Sequence, residues 1–197
     1  MNNLLKRIVI LLLLFCPMVS QAKKFKQEVI HSCTGEQVRI YSSAVTDTLR
    51  IFVIADTHLW LSDEREAPFR QYSKRMAAAY NETTHFKTGE KTNPEKAFRQ
   101  TVALAKAKNA DVIALLGDIV SYPSERAVEF VQEVMRESGI PYYYTCGNHD
   151  WHYEGMEGTS HELRKKWREE RLSQLFGKYD PVAYGVEHKG VRLLFFD

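Results

Sequence analysis

Cysteine is scarce in this sequence of 197 residues, which contains only Cys16, Cys33 and Cys146. Cys16 lies in an N-terminal apolar stretch that we expect to be removed, so Cys33 and Cys146 remain. Two cysteines so far apart do not form a disulfide framework, which excludes the class of small domains held together by disulfides. Either they pair with each other or, as we favour, both are buried thiols.

A surplus of one charge is also absent. The 27 Lys and Arg residues nearly balance the 25 Asp and Glu residues, and the net charge is +2. Both signs are mixed along the chain, whereas nucleic-acid-binding proteins usually carry a basic patch or stripe. We therefore predict no nucleic-acid partner. Apolar residues make up 44% of the sequence, which suffices for a hydrophobic core at this length.

Long apolar runs are missing except at the N-terminus. There the basic segment MNNLLKR precedes the apolar segment IVILLLLFCPMV, and Ser20-Gln21-Ala22 offers the small residues of a cleavage site. The apolar segment has about 12 residues, too few to span a bilayer. We interpret residues 1–22 as a signal peptide and expect an exported protein, periplasmic or extracellular, without a transmembrane segment after cleavage near Lys23.

Runs of strand length alternate with helical patterns along the rest of the chain. The predicted buried strands are LRIFVIAD (49–56), DVIALLGD (111–118), IPYYYTC (140–146) and VRLLFFD (191–197), and EQVRIYSSA (36–44) is predicted to be half exposed. Asn93 and Ser124 are predicted to cap helices, a third helix is predicted over 160–176, and 61–92 is predicted to be a long loop with one helix. This alternation predicts an α/β fold with a parallel sheet.

Polar side chains follow the first three buried strands. The first is followed by Asp56-Thr57-His58, the second by Gly117-Asp118 and the third by Gly147-Asn148-His149-Asp150. Parallel strands bring their carboxyl ends to one edge of a sheet, where ligands bind. Two carboxylates that meet there would repel each other unless a metal ion lay between them. Mixed carboxylate, imidazole and amide ligands suit zinc, iron or manganese.

These three segments, in this order, resemble the first three motif blocks of the calcineurin-like metallophosphoesterase superfamily. The resemblance extends over roughly residues 49 to 197. It implies a layered α/β/β/α sandwich with a site for two divalent or trivalent transition-metal ions, Zn, Fe or Mn. By motif position, Asp56 and His58 would bind the first metal, Asp118 would bridge both metals and Asn148 would bind the second.

The same resemblance implies hydrolysis of a phosphate-ester substrate by a metal-bound hydroxide. His149 would contact the phosphoryl group and help the leaving group depart, and Asp150 would orient His149 through a hydrogen bond. His149 and Asp150 are therefore the candidate catalytic residues.

The later histidine motifs of the superfamily, an isolated His and a Gly-His-x-His block, are absent. After His152 the sequence contains only His161 and His188, neither of them in such a block, and we interpret His188 as a surface residue. We therefore expect residues 23–197 to be a phosphoesterase domain that is incomplete at its C-terminus, truncated after the first βαβαβ half. Two alternatives remain: an inactive fragment that acts as a metal-binding or interaction domain, and a secreted binding protein without catalytic chemistry.

Several other side chains have two interpretations. His152 and Tyr153 would either line a substrate pocket or lie in a solvent-exposed turn. The basic residues of the long loop would either bind a phosphate or, as we favour, form a solvated face; they are Arg65, Arg70, Lys74 and Arg75.

Overall fold

The computed structural model describes residues 29–35, 38–43, 45, 47–79, 83–85 and 87–197. The predicted signal peptide, residues 1–22, lies outside this range. The chain divides into two compact units, Met1–Ala44 and Val45–Asp197.

The first unit contains a β-hairpin. Strands β1 (Val29–Cys33) and β2 (Val38–Ser42) pair in antiparallel register. The predicted strand within 36–44 is thus present. Val38 and Ile40 are nevertheless 66% and 68% exposed, so the half-covered face that their alternation predicts is not found within the described residues.

The second unit contains the remaining elements. Its strands are β3 (Ile51–Ile54), β4 (Thr83–Thr84), β5 (Lys91–Thr92), β6 (Val112–Leu116), β7 (Tyr142–Thr145), β8 (Ala183–His188) and β9 (Val191–Phe196). Its α-helices are α1 (Arg70–Ala79), α2 (Pro94–Ala107), α3 (Glu125–Ser138), α4 (Ser160–Trp167) and α5 (Ser173–Phe176), with a 3₁₀ helix over Glu64–Phe69 and a π-helical turn over Arg168–Leu172. Helix α1 is the single helix expected in the long loop.

The predicted parallel sheet is present and has the order β3-β6-β7. Strand β6 is parallel to both neighbours, with Val112 opposite Ile51 and Ile113 opposite Tyr142. The first four residues of β6 are buried, as a central strand requires. In β3, however, Ile51 and Val53 are exposed. The prediction that β3 is buried on both faces is therefore wrong. This edge strand is covered only on the face toward the helices.

Helices α2 and α3 form the layer on one face of this sheet. The Asn93 side chain accepts a hydrogen bond from Lys96 N (2.8 Å), and Ser124 caps α3 in the same way through Ala127 N (3.2 Å). Gly139 ends α3 in the left-handed conformation, with φ 71°. Both predicted caps are confirmed. The apolar faces of these helices pack against Ile113 and Leu115 in the core.

The charged segment 160–176 is helical, as predicted, but not one regular helix. A capping box of Thr159 and Glu162 starts α4, and the π-helical turn separates α4 from α5. The three residues that we expected to pack, Leu163, Trp167 and Leu175, are buried. Among the described residues, no helix is both long and apolar enough to cross a membrane.

Strands β8 and β9 form a second, antiparallel sheet on the other face of the parallel sheet. The buried residues Val186 and Phe195 pack against Ala114 of β6. The prediction of 191–197 as a fourth buried strand is wrong in part, because Leu194 and Phe196 are 59% and 66% exposed. An apolar run alone does not show that a strand has only one covered face. The helix layer, the parallel sheet and the second sheet confirm the layered α/β architecture.

Side chains join the second sheet to β7. The Tyr184 hydroxyl accepts a hydrogen bond from Tyr144 N (2.9 Å) and donates one to Tyr144 O (2.7 Å). The Tyr143 hydroxyl lies 2.6 Å from His188 Nε2, and His188 is half-buried. The interpretation of His188 as a surface residue is therefore wrong, because its ring packs against a tyrosine of the central sheet.

Cys33 and Cys146 are free thiols with different surroundings. Cys33 is exposed and Cys146 is buried, so the prediction of two buried thiols is correct only for Cys146. Burial raises the pKa of the Cys146 thiol to about 11. This thiol therefore stays protonated at neutral pH.

The ammonium group of Lys189, in the turn between β8 and β9, binds the segments that precede β3 and β6. Lys189 Nζ lies 2.8 Å from Asp111 Oδ1, 2.8 Å from Thr48 O and 3.1 Å from Asp47 Oδ2. The hydrogen bond from Lys189 lowers the pKa of Asp47. Partial burial raises the pKa of Asp111, but its hydrogen bonds with Lys189 and Arg50 lower it by more in total.

We predict that Lys189→Met lowers the melting temperature by a few degrees at pH 7. Carboxyl groups with a depressed pKa stabilise the fold above their unfolded pKa of 3.8, and this contribution is lost as the pH falls through the folded pKa. The difference between the wild type and Lys189→Met should therefore vanish in thermal melts below that pH. Lys165→Met, at an exposed position of α4, serves as the control. A difference that persists in acid would contradict the assignment.

Candidate metal centre

The loops that leave β3 and β6 run side by side and carry the first three candidate ligands. Four main-chain hydrogen bonds join them. Asp56 N donates to Gly117 O (3.1 Å), and His58 N donates to Asp118 O (2.9 Å). Leu59 N donates to Ile119 O (2.9 Å), and Ser121 N donates to Leu59 O (2.7 Å). Leu59 and Val120 form a parallel bridge. The two loops are therefore an extension of the parallel sheet.

Four hydroxyl groups strengthen this junction by donating hydrogen bonds to main-chain carbonyls of the opposite loop. The donors are Thr57 to Ile119 O (2.8 Å), Ser121 to His58 O (2.9 Å), Tyr122 to Trp60 O (2.7 Å) and Ser124 to Leu61 O. Ile119 O also accepts from Leu59 N, and the other three carbonyls obtain a partner from these side chains. The loops are thus held by side chains as well as by main chain.

Asp56, His58 and Asp118 converge at the end of the extended sheet. Each offers one ligand atom, and the three atoms lie within 4.8 Å of one another. Asp56 is exposed, and His58 and Asp118 are half-buried. Two carboxylates and an imidazole are a donor set that suits a divalent transition metal. The structure therefore brings together three of the four predicted metal ligands.

All three residues adopt the left-handed backbone conformation, which is unusual outside glycine. Their φ angles are 54° for Asp56, 46° for His58 and 50° for Asp118. Each such conformation costs on the order of 1–3 kcal/mol and persists only where the surrounding structure enforces it. Here the hydrogen bonds between the two loops enforce it, and the result is that the three side chains point to one place.

The protonation state of His58 also fits a metal ligand. Burial lowers the pKa of His58 below its ordinary value of 6.5, and the adjacent His149 lowers it further. The carboxylates of Asp118 and Asp56 oppose this shift but do not reverse it. His58 is therefore mainly neutral at pH 7, the form in which imidazole binds metals.

The third loop, which leaves β7 and contains Gly147 and His149, approaches the other two very closely. Glycine is required at two of the positions where they meet. A Cβ atom on Gly117 would lie 2.7 Å from Gly147 N, and a Cβ atom on Gly147 would lie 2.5 Å from Asp118 N. Gly117 also has a φ angle of 77°. The nearest atoms are main-chain atoms of Gly147 at Gly117, and the carboxylate and main-chain amide of Asp118 at Gly147.

The Asp150 carboxylate is fully buried and joins the second loop to the third. Its Oδ1 accepts a hydrogen bond from Val120 N (2.8 Å), and its Oδ2 accepts one from Gly147 N (2.8 Å). The expected hydrogen bond between Asp150 and the His149 ring is not found, because both oxygens bind main-chain amides. Burial raises the pKa of Asp150 to about 7, although these two amides favour its charged form.

His149 and Asn148 occupy the turn that Asp150 supports. His149 N donates to Asp118 Oδ1 (2.9 Å), and the His149 ring lies edge-to-face on the His58 ring, with centroids 4.7 Å apart. Its Nδ1 atom is buried and has no hydrogen-bond partner among the described residues. Asn148 is exposed at the turn. His149 thus borders the three-residue cluster directly.

Most of the side chains with two interpretations do not reach the centre. Tyr153 is fully buried, so neither a pocket nor an exposed turn describes it. Arg65 forms salt bridges with Glu129 (2.6 Å) and Glu125 (2.7 Å), and Arg75 forms one with Glu154 (2.5 Å). Arg65 and Arg75 are engaged with acidic side chains, which agrees with the charged-face interpretation.

His152 is the one residue of this group beside the centre. It is half-buried, and His152 N donates to His149 O (3.0 Å). Trp151 is buried next to it, as expected, and its ring lies against Arg164. Arg70 and Lys74 are exposed.

Sequence reasoning missed Glu66. This carboxylate is 2% exposed and accepts a hydrogen bond from the Tyr153 hydroxyl. It lies in a polar stretch without hydrophobic periodicity, which gives no indication that one of its acidic residues is buried. The 3₁₀ helix that turns Glu66 inward is capped by Asp63, whose side chain accepts a hydrogen bond from Arg65 N (2.9 Å).

We predict that Gly147→Ala lowers the metal affinity of the chain by about 10-fold or more. The added methyl group would lie against Asp118 N and must displace the third loop from the second. The measurement is a Zn²⁺ titration of the purified variant. Gly35→Ala is the control, because its Cβ atom would meet nothing within 4 Å. Equal affinities of both variants would contradict the close approach described above.

Most of this chain matches a known protein family. The family model for the calcineurin-like phosphoesterase matches residues 49–196. Curated proteins give no match to this chain. Among solved structures, a dimetal phosphatase from Danio rerio is similar, with a TM-score of 0.37 and 15% sequence identity. The similarity covers 63% of this chain and 34% of that one, so this chain spans well under two thirds of the length of that structure.

The matched range contains every residue of the candidate centre, from Asp56 to Asp150, and most of the chain. This chain therefore belongs to the calcineurin-like phosphoesterase family.

Proposed function

We propose that this chain carries the metal-binding and phosphoryl-contacting residues of an enzyme that hydrolyses phosphate esters. One observation supports this most strongly: the Asp56, His58 and Asp118 ligand atoms lie within 4.8 Å of one another, and all three residues have left-handed backbones. Two carboxylates held this close repel each other unless a cation lies between them. The family supplies the chemistry, phosphate-ester hydrolysis, to which such a centre is suited.

In this proposal two metal ions are held by the predicted ligands. Asp56 and His58 would hold the first ion, Asp118 would hold both, and Asn148 would contribute its amide oxygen to the second. Zinc, iron and manganese match this donor set. When bound, such ions neutralise phosphoryl oxygens and make a water molecule more acidic.

His149 acts on the substrate rather than on a metal. Its ring borders His58, and its main-chain N–H is bonded to Asp118, so the ring lies beside two of the predicted metal ligands. There the imidazole contacts the phosphoryl group and, when protonated, gives a proton to the leaving oxygen. Asp150 supports this role through the main chain, because it binds Gly147 N at the start of the same turn.

The alternative function, a metal-binding or interaction domain without catalysis, uses the same ligands. It differs only in turnover, and no described contact favours it. Hydrolysis of a generic aryl phosphate ester together with metal content therefore separates the two. Metal without turnover in any metal-loaded preparation would support the alternative.

We predict that two substitutions differ in their effect on metal content. Asp118→Ala should abolish ester hydrolysis and lower metal content, because its carboxylate serves both ions. His149→Ala should slow hydrolysis by about 10²–10⁴-fold and leave metal content nearly unchanged, because it acts on the leaving group. Elemental analysis and an aryl phosphate assay measure both effects.

Matched controls are Asp180→Ala and His161→Ala, which change exposed residues outside the centre. Neither should alter metal content or turnover. Equal loss of metal in Asp118→Ala and His149→Ala would refute the roles assigned to them.

We also propose that the protein is exported, on the basis of the basic and apolar segments that precede Ser20-Gln21-Ala22. Expressed in a bacterium, it should be found outside the cytoplasm with an N-terminus near Lys23. Mass analysis of the exported protein measures this. An exported chain that still begins with Met1 would contradict cleavage.

A further inference from the structure

A buried cluster joins the three loops that carry the candidate ligands. We call it the loop cluster and define it as Glu66, Phe69, Tyr122, Tyr153 and Trp167. Glu66 and Phe69 follow the first loop, Tyr122 follows the second and Tyr153 follows the third, whereas Trp167 belongs to α4. None of Glu66, Tyr122, Tyr153 and Trp167 is more than 2% exposed. The segments that follow the three loops therefore meet in one buried cluster.

Tyr153 contacts every other member of the loop cluster. Its hydroxyl donates a hydrogen bond to Glu66 Oε1. Its ring stacks on Phe69, with centroids 5.1 Å apart and an interplanar angle of 21°, and lies 4.9 Å from the Trp167 ring and 5.7 Å from the Tyr122 ring. The third loop is thus anchored to the other two through this side chain.

The Glu66 carboxyl group makes this anchor directional. Burial raises the pKa of Glu66, and the hydrogen bond from Tyr153 is the largest influence that lowers it, followed by the positive charge of Arg171. A buried carboxyl group requires a donor, and the donor comes from a residue 87 positions further along the chain. Ring packing would tolerate small sliding movements, whereas a hydrogen bond fixes distance and angle.

We propose that the hydrogen bond from Tyr153 to Glu66 is a positioning contact for the metal centre. This inference rests on the proposed function, because it assigns the contact an effect on bound metal. Tyr153 follows the third loop, which contains His149, and Glu66 follows the first loop, which contains His58. The contact fixes the third loop against the first at a point beyond the ligands. On the ligand side, His58 N donates to Asp118 O and His149 N donates to Asp118 Oδ1, so the second loop joins the other two there.

The alternative is a contact that stabilises the fold and has no effect on the metal. Both explanations predict a lower melting temperature when the hydrogen bond is removed. Only a positioning contact changes the geometry and the affinity of a metal bound to the neighbouring loops. A spectroscopic metal probe therefore distinguishes them.

The test uses Co²⁺, whose visible absorption depends on the arrangement of its ligands, bound to the full 197-residue chain. Tyr153→Phe keeps the ring and removes the donor. We expect about 10–100-fold weaker Co²⁺ binding, the range found when a group that supports a metal ligand is lost, and a shifted visible absorption band. The matched control is Tyr143→Phe, which also loses a hydroxyl contact, to His188, on the opposite face of the sheet. It should leave Co²⁺ affinity and absorption unchanged.

Two substitutions at Glu66 complete the test. Glu66→Gln keeps an acceptor oxygen for Tyr153 and should bind Co²⁺ nearly as the wild type does. Glu66→Leu removes the acceptor and should reproduce the effect of Tyr153→Phe. The double variant should lose no more affinity than either single variant, because both remove the same contact.

The outcomes separate this inference from the proposed function. If the wild type binds Co²⁺ while Tyr153→Phe and Glu66→Leu melt earlier with unchanged Co²⁺ affinity and absorption, the contact is structural only and the proposed function stands. If the wild type itself binds no Co²⁺, the proposed function fails and this inference fails with it.

Discussion

Asp118 is held from three directions by main-chain groups, and the whole centre depends on this. Its carbonyl oxygen accepts a hydrogen bond from His58 N, its carboxylate accepts one from His149 N, and its own amide lies against Gly147. These contacts are possible only because parallel strands end together at one edge. A residue that contacts two neighbouring loops by main chain cannot move without moving both.

Two buried carboxylates connect the loops in different ways. Asp150 binds the main-chain amides of Val120 and Gly147, so it holds backbone to backbone at the base of the third loop. Glu66 binds the Tyr153 hydroxyl, so it holds side chain to side chain further out. An unpaired carboxylate in a protein interior is strongly unfavourable. Moving the joined loops apart would therefore leave a buried carboxylate without its partner.

The sequence was sufficient to predict the parts of the site that follow from strand order. Asp56 and His58 follow β3 and Asp118 follows β6, and parallel strands bring their carboxyl ends to one edge of the sheet. The partners of Asp150 were not predictable in this way, because its sequence position beside His149 suggested a side-chain partner, whereas the turn directs its oxygens to amides. Glu66 was hidden for a different reason: burial of a charged residue in a polar stretch depends on contacts from distant parts of the chain. Likewise, the apolar run in β9 did not reveal that Leu194 faces outward.

The contact between the second sheet and β7 affects whether another chain can pair with the parallel sheet. Strand β7 lies at an edge of the parallel sheet, and such an edge offers free amides and carbonyls to any extended peptide. At Tyr144 both groups are already bound to a single oxygen atom, that of the Tyr184 hydroxyl. This phenol takes the place that a neighbouring strand would occupy. A peptide approaching that edge would have to displace the phenol before it could pair there, so one aromatic side chain protects the sheet from growing by strand addition.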